Sequence, residues 1–141
     1  MSDFRPSPTA WVRTQVAAIE TAGDTRVVDV LDRPVVLITM TGAKSGAILK
    51  VPVMRVEHNG TYAAVASKGG APDHPQWYFN LVANPDIEVQ DGTVTTPMRA
   101  RVVEGDERGA WWERAVAAFP PYADYQAKTQ RLIPLFLLEP R

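Results

Sequence analysis

Apolar residues recur near helical spacing at Trp11, Val12, Val16 and Ile19, which marks one buried helix face. Thr9 stands where such a helix needs a cap and Gly23 where it needs a stop, so the pattern predicts a helix ending near Ala22. After it the periodicity changes. Val35-Val36-Leu37-Ile38-Thr39 is short, continuous and β-branched, the pattern of a buried strand. A turn bracketed by glycines, Thr41-Gly42-Ala43-Lys44-Ser45-Gly46, leads into a longer strand over Leu49–Glu57. His58-Asn59-Gly60 predicts a tight reversal, because Asn-Gly readily adopts positive φ, and Thr61–Ala66 is the return strand.

The stretch Ser67–His74 has no periodicity and reads as a loop. Asp73 or His74 is expected to cap a short helix with Pro75 in its first turn. That helix carries Trp77, Tyr78 and Leu81 and ends at Asn84-Pro85, since proline resists continuation. Ile87–Gln90, an Asp91-Gly92 turn and Thr93–Val103 predict another hairpin, with Val94, Met98, Ala100 and Val102 sharing one face. A helix from Asp106 to about Phe119 should turn Trp112, Ala115, Val116 and Phe119 inward until Pro120-Pro121 breaks it. A short helical turn then holds Tyr122, Asp124 and Tyr125, and Ile133–Leu138 is the last strand. About six strands joined by short connections predict a mainly antiparallel sheet. Closure into a small split β-barrel flanked by short helices, mainly β within an α+β class, removes the exposed edges.

Composition narrows the function classes. With 141 residues there is room for one domain, residues 1–30 forming an N-terminal helix and lead-in. The 12 prolines favour a turn-rich fold over a helical bundle. A net charge of −1 argues against a nucleic-acid partner, which calls for a basic excess. The absence of cysteine excludes disulfides, zinc–thiolate sites and cysteine nucleophiles. The two histidines, His58 and His74, show no ligand spacing, so no metal is expected. Met1–Pro8 is polar and lacks the apolar run of a secretory leader, and the longest apolar run is Leu135-Phe136-Leu137-Leu138. A cytoplasmic protein is therefore expected, without stable membrane insertion and with peripheral membrane contact left open.

Candidate chemistry concentrates in two glycine-containing turns. In Ser67-Lys68-Gly69-Gly70 the glycines allow close approach of a ligand to backbone amides, Lys68 adds a cation, and a helix start follows. The competing reading is a plain connection with a solvated lysine. Lys44 and Ser45 carry the same ambiguity between a phosphate grip and a simple hairpin turn. Ser67 or Ser45 with His74 suggests a hydrolytic triad, but no Gly-x-Ser-x-Gly elbow is present. Tyr122 and Tyr125, after the proline break, are candidates to line a pocket for a planar ligand and to offer a phenol proton.

Four strings in order give the chain a family likeness: Thr41–Gly46, Ala66–Pro72, His74–Pro85, and Phe119–Gln126 with Ile133-Pro134 after it. From Val35 to Pro140 the sequence resembles the actinobacterial deazaflavin (F420)-dependent nitroreductases, a branch of the split β-barrel flavin and deazaflavin oxidoreductases. The resemblance implies hydride transfer from reduced coenzyme F420 to an electron-poor small-molecule acceptor, a quinone, a nitroaromatic or an unsaturated lactone or ketone. The coenzyme supplies the redox chemistry, so no catalytic triad is needed. It also implies Lys44, Ser45, Lys50, Pro52, Ala66, Ser67, Lys68, Gly69, Gly70 and Trp77 as coenzyme-binding positions. Tyr122, Tyr125 and Ser67 are implied on the acceptor side. Where the family often has arginine this chain has Ala43 and Leu49, and Phe119 replaces a third tyrosine. These departures keep two alternatives open: an FMN-dependent reductase, and a carrier of a deazaflavin or lipid-like ligand that performs no turnover. The assembly is a monomer or a homodimer.

Overall fold

Helix α1 (Ala10–Ala22) starts after Thr9, whose side chain makes no cap bond, and stops at Gly23, with φ 68° and its N–H on the Ile19 carbonyl at 2.7 Å. These positions belong to a computed structural model that describes residues 4–141; Met1, Ser2 and Asp3, part of the polar start read above, lie outside the described residues. Val12, Val16 and Ile19 are buried as their spacing predicts. Trp11 is not: it is 58% exposed, because one residue before Val12 is about 100° around the helix.

The strands are β1 (Asp29–Val30), β2 (Arg33–Thr41), β3 (Ile48–Met54), β4 (Glu57–His58), β5 (Thr61–Val65), β6 (Asp86–Asp91), β7 (Val94–Val102) and β8 (Leu135–Pro140). Every ladder between them is antiparallel. Their order is β1-β2-β6-β7-β8-β5-β4, with β3 added on β2. The expected strand over Leu49–Glu57 is interrupted at Arg55-Val56. There Arg55 N–H still reaches the Pro34 carbonyl of β2 (3.0 Å), while the Val56 carbonyl accepts from Ala63 N–H on β5 (2.9 Å). The stretch from β3 to β4 thus passes from one end of the sheet to the other and curls it into a split barrel. Asn59 (φ 53°) and Gly60 (φ 82°) make the predicted tight reversal.

Burial on both faces of β2 divides the core in two. Val36, Ile38 and Met40 pack with Ala64, Leu81, Ile87, Val89, Met98, Ala100 and Phe136. Val35 and Leu37 pack with α1 and with Ile133, Leu135 and Leu137. In β7, Val94 and Val102 are 63% and 43% exposed, contrary to the expected single apolar face. They lie at the two ends of the strand, beyond the cluster that buries Met98 and Ala100.

Three more helices complete the fold: α2 (Gln76–Ala83), α3 (Gly105–Ala118) and α4 (Pro121–Lys128). Pro75 itself is the N-cap of α2, in extended geometry, so neither Asp73 nor His74 caps it. In α3 the buried residues are Trp111 and Ala115, while Trp112 and Val116 are only partly covered. Ala115 and Phe119 are thus inward as expected, but Trp111 takes the buried place expected of Trp112, and Arg114 lies over the Trp111 ring at 4.7 Å. Among the described residues no helix is long and apolar enough to cross a membrane.

Candidate functional site

The chain leaves β5 at Val65 and turns at once. Lys68, Gly69 and Gly70 follow Ser67 with φ values of 46°, 63° and 81°. Glycine adopts this region freely; lysine does so at a cost of roughly 1 kcal/mol, and such strain concentrates at functional sites. Gly70 N–H on the Ser67 carbonyl (2.9 Å) and Ala71 N–H on the Lys68 carbonyl (3.1 Å) close the turn. The N–H groups of Lys68 and Gly69 have no partner among the described residues. Consecutive amides in this conformation form an anion-binding concavity.

Gly70 also permits the loop to touch α4. An added Cβ there would lie 2.8 Å from the Tyr125 carbonyl oxygen and 3.0 Å from its Cα. This approach docks α4 against the loop and brings both tyrosines of α4 to one cleft. The cleft holds about 460 Å³ and has Ser67, Lys68 and Gly69 on one side. Val35, Pro52, Met54, Val65 and Trp77 form apolar walls, and Trp11, Phe119, Tyr122 and Tyr125 are among the other lining residues. The apolar walls suit a planar ring, and the cationic turn suits an anionic tail.

Tyr122 is 4% exposed and meets Phe119 edge to face at 5.0 Å. Burial, with a smaller contribution from Tyr125, pushes its phenol well above the ordinary tyrosine value. Tyr122 is therefore a neutral phenol. Tyr125, half-buried with its ring 6.2 Å from that of Tyr122, faces the cleft less covered. Ser67 is 7% exposed, and its hydroxyl has no hydrogen-bond partner among the described residues.

Of the positions singled out in the sequence, the cleft brings together Pro52, Ser67, Lys68, Gly69, Trp77, Tyr122 and Tyr125. Ala66 and Gly70 are buried in the loop behind its surface. Lys44, Ser45 and Lys50 do not line it. Lys44 and Ser45 are exposed on the β2–β3 turn, where the Ser45 hydroxyl accepts from Ala47 N–H at 3.1 Å. Ala43 N–H on the Asn80 side chain (2.9 Å) ties that turn to α2. Lys50 is paired with Glu20 of α1 and sits 5.6 Å over the Phe4 ring, lining a separate cavity of about 520 Å³. Among the described residues no three ligating side chains converge on a metal position.

Two participants had no motif to reveal them. Trp11 reaches the cleft only because its helix face points away from the core. Arg131 meets the loop from the other side, 60 residues on in the chain, with Nη1 3.1 Å from His74 Nδ1. Because arginine only donates, Nδ1 accepts and the neutral ring carries its proton on Nε2. The ring stacks on Tyr78 at 4.2 Å. Burial first and Arg131 second hold the His74 pKa below the ordinary value, against a smaller opposing pull from Asp73. A histidine lowered in the folded state binds protons more readily when unfolded. Its contribution to stability is present above the unfolded value of about 6.5 and is lost as pH falls through the folded value. The wild-type midpoint of thermal unfolding should therefore fall more between pH 7.5 and 5 than that of His74→Gln. Parallel curves for the two proteins would show that His74 is uncoupled from folding.

A family model described as F420H(2)-dependent quinone reductase matches residues 11–140. A solved structure titled F420-H2 dependent reductase (FDR-A) is 63% identical, covering 79% of this chain and 99% of that one with a TM-score of 0.73. A second, described as a domain-swapped dimer, is 60% identical, covering 94% of this chain and 100% of that one with a TM-score of 0.75. The F420H(2)-dependent quinone reductase Rv1261c of Mycobacterium tuberculosis (strain ATCC 25618 / H37Rv) is 34% identical over 111 residues, 77% of this chain and 74% of that protein.

Proposed function

The chain belongs to the F420H(2)-dependent quinone reductase family, and from that premise we propose that its cleft binds reduced coenzyme F420 and passes the hydride to a quinone. The observation that carries this reading is the adjacency, in one cleft, of an apolar slot, a cationic glycine turn and a phenol. Bound there, the reduced deazaflavin supplies the hydride. The protein supplies binding and orientation. Pro52, Val65 and Trp77 present flat apolar surface to a ring. Lys68, with the free amides of Lys68 and Gly69, takes the negative charge of the coenzyme tail. The absence of arginine at Ala43 and Leu49 places more of that charge on Lys68. Ser67 offers a hydroxyl at the inner edge of the turn.

A quinone that accepts a hydride becomes an oxyanion and needs one proton to become a quinol. Tyr125, less buried than Tyr122, is placed to stabilise or protonate that oxygen. Tyr122 remains neutral and shapes the wall behind it. Tyr125→Phe should slow turnover about fivefold while coenzyme affinity stays constant, less than the ~10²-fold of an irreplaceable proton donor because water reaches this half-buried position and can protonate the oxygen instead. An equal rate for the two proteins would remove Tyr125 from the mechanism.

Fluorescence titration with F420, FMN and NADPH side by side, followed by oxidation of reduced F420 with and without a quinone, tests the whole reading. Binding of F420 with quinone-dependent oxidation is the expected result. Binding without turnover would make the protein a carrier, and a flavin-coloured protein that ignores F420 would make it an FMN enzyme. The likeness to a domain-swapped dimer supports a homodimer as the assembly. The cytoplasmic setting expected from the sequence goes with a small-molecule acceptor.

A further inference from the structure

We propose that Arg131 is the positioning residue of the coenzyme loop, holding the left-handed turn at Lys68–Gly70 in the shape that faces the cleft. The inference rests on the coenzyme reading above for its functional consequence and on geometry for its structural one. The guanidinium collects acceptors from both sides of the turn. Nη1 donates to the Ala66 carbonyl at 3.2 Å and Nη2 to the Ser67 carbonyl at 2.8 Å, on the entry side. Nε donates to the Ala71 carbonyl at 2.9 Å, and Nη1 meets His74 Nδ1 at 3.1 Å, on the exit side. One planar fork thus closes the turn that Lys68, Gly69 and Gly70 open.

Three consecutive positive φ values, one of them on a lysine, persist only where surrounding contacts over-determine them. The internal bonds of the turn number two, from Gly70 and Ala71. Arg131 adds four hydrogen bonds to its flanks, while Lys128 Nζ reaches the Gly69 carbonyl at 3.5 Å from α4. Arg131 is itself anchored to the helix that carries Tyr125. Gln126 of α4 donates from Nε2 to the Arg131 carbonyl at 2.8 Å and accepts from Ile133 N–H at 3.0 Å. Arg131 does not line the cleft, so it acts on a ligand only through the loop. Its Nε, Nη1 and Nη2 each engage a different carbonyl, which suits a guanidinium and not an ammonium.

The test compares wild type with Arg131→Gln and Arg131→Lys. It measures the Kd for F420, the KM for a quinone, kcat, and hydrogen exchange at the Gly70 and Ala71 amides, below the unfolding temperature of each protein. Arg131→Gln should weaken coenzyme binding about fivefold and speed exchange at those two amides, with the quinone KM unchanged. Arg131→Lys should lie between, since it restores charge without the fork. A fall in thermal stability with Kd and exchange both unmoved would overturn the inference, because that is what a merely structural arginine does. If Arg131→Gln does not fold, Arg131→Lys carries the same comparison. If wild type does not bind F420, the proposed function fails, and exchange at Gly70 and Ala71 still decides the role of Arg131: unchanged exchange overturns it and faster exchange supports it.

Discussion

Gly70→Ala should lower the thermal midpoint by about 10 °C, far more than the same change at Gly69. The two glycines are neighbours with similar backbone angles, φ 63° and 81°, so the left-handed conformation penalises alanine in both. That penalty is about 1–2 kcal/mol, part of which the stiffer unfolded chain returns. The surroundings separate them. An alanine Cβ at Gly69 meets nothing within 4 Å. At Gly70 it meets the Tyr125 carbonyl oxygen at 2.8 Å, the Tyr125 Cα at 3.0 Å and the Lys128 Cβ at 3.2 Å. The first two are helix backbone, which cannot swing aside as a side chain can. Relief requires α4 to move off the loop as a unit, and forced overpacking of this kind costs about 1–3 kcal/mol more. A total near 3 kcal/mol corresponds to about 10 °C for a domain of this size. Moving α4 also draws Tyr125 away from Lys68, so coenzyme affinity should fall in whatever Gly70→Ala protein remains folded. Thermal melts of the two variants followed by circular dichroism make the comparison. Equal shifts would mean that the loop and α4 are not packed as described.

The contact that makes Gly70 sensitive shows where reading a sequence succeeds and where it stops. Local rules are written in nearest neighbours. Asn59-Gly60 announces its own reversal, and Val35–Ile38 announces a buried strand, because turn chemistry and β-branched stiffness act within a few residues. The turn that follows β5 was visible for the same reason, as glycines beside a lysine. Selection of a helix face is less local. The residues buried in α3 are Trp111 and Ala115 because the sheet lies on that side, and Trp112 is equally apolar on paper. The interruption at Arg55-Val56 follows from closure of the barrel, a property of the whole sheet. Arg131 was the least legible. An isolated arginine among polar residues carries no pattern, and its role exists only once the fold brings Ala66, Ser67 and Ala71 around it. The same logic separates Lys44 from Lys68. Both stand beside glycine in a turn, yet only the turn carrying Lys68 borders the cleft.

Lys68 itself should give stability and function opposite responses. Its φ of 46° places an ordinary side chain in a conformation that favours glycine. Lys68→Gly removes that strain and gains roughly 1–2 kcal/mol in the folded state. It also gives back about 0.5–1 kcal/mol through the freer unfolded chain. The net is a small stabilisation, a thermal midpoint raised by a few degrees. The same substitution takes away the one cation that lines the cleft among the described residues. A charge-assisted hydrogen bond to an anionic tail contributes about 1.5–3 kcal/mol, so affinity for F420 should fall about tenfold to a hundredfold. Raising the salt should weaken wild-type binding and leave the already weakened variant nearly unchanged, since screening acts on the charge that Lys68 brings. Lys68→Ala supplies the control. It loses the charge and keeps most of the strain, so it should match the glycine variant in affinity without its gain in stability. A chain that tolerates lysine where glycine fits better is accepting instability at the point where a ligand arrives. If Lys68→Gly binds F420 as tightly as wild type, that strain has no functional counterpart and the turn is only a connection between β5 and α2.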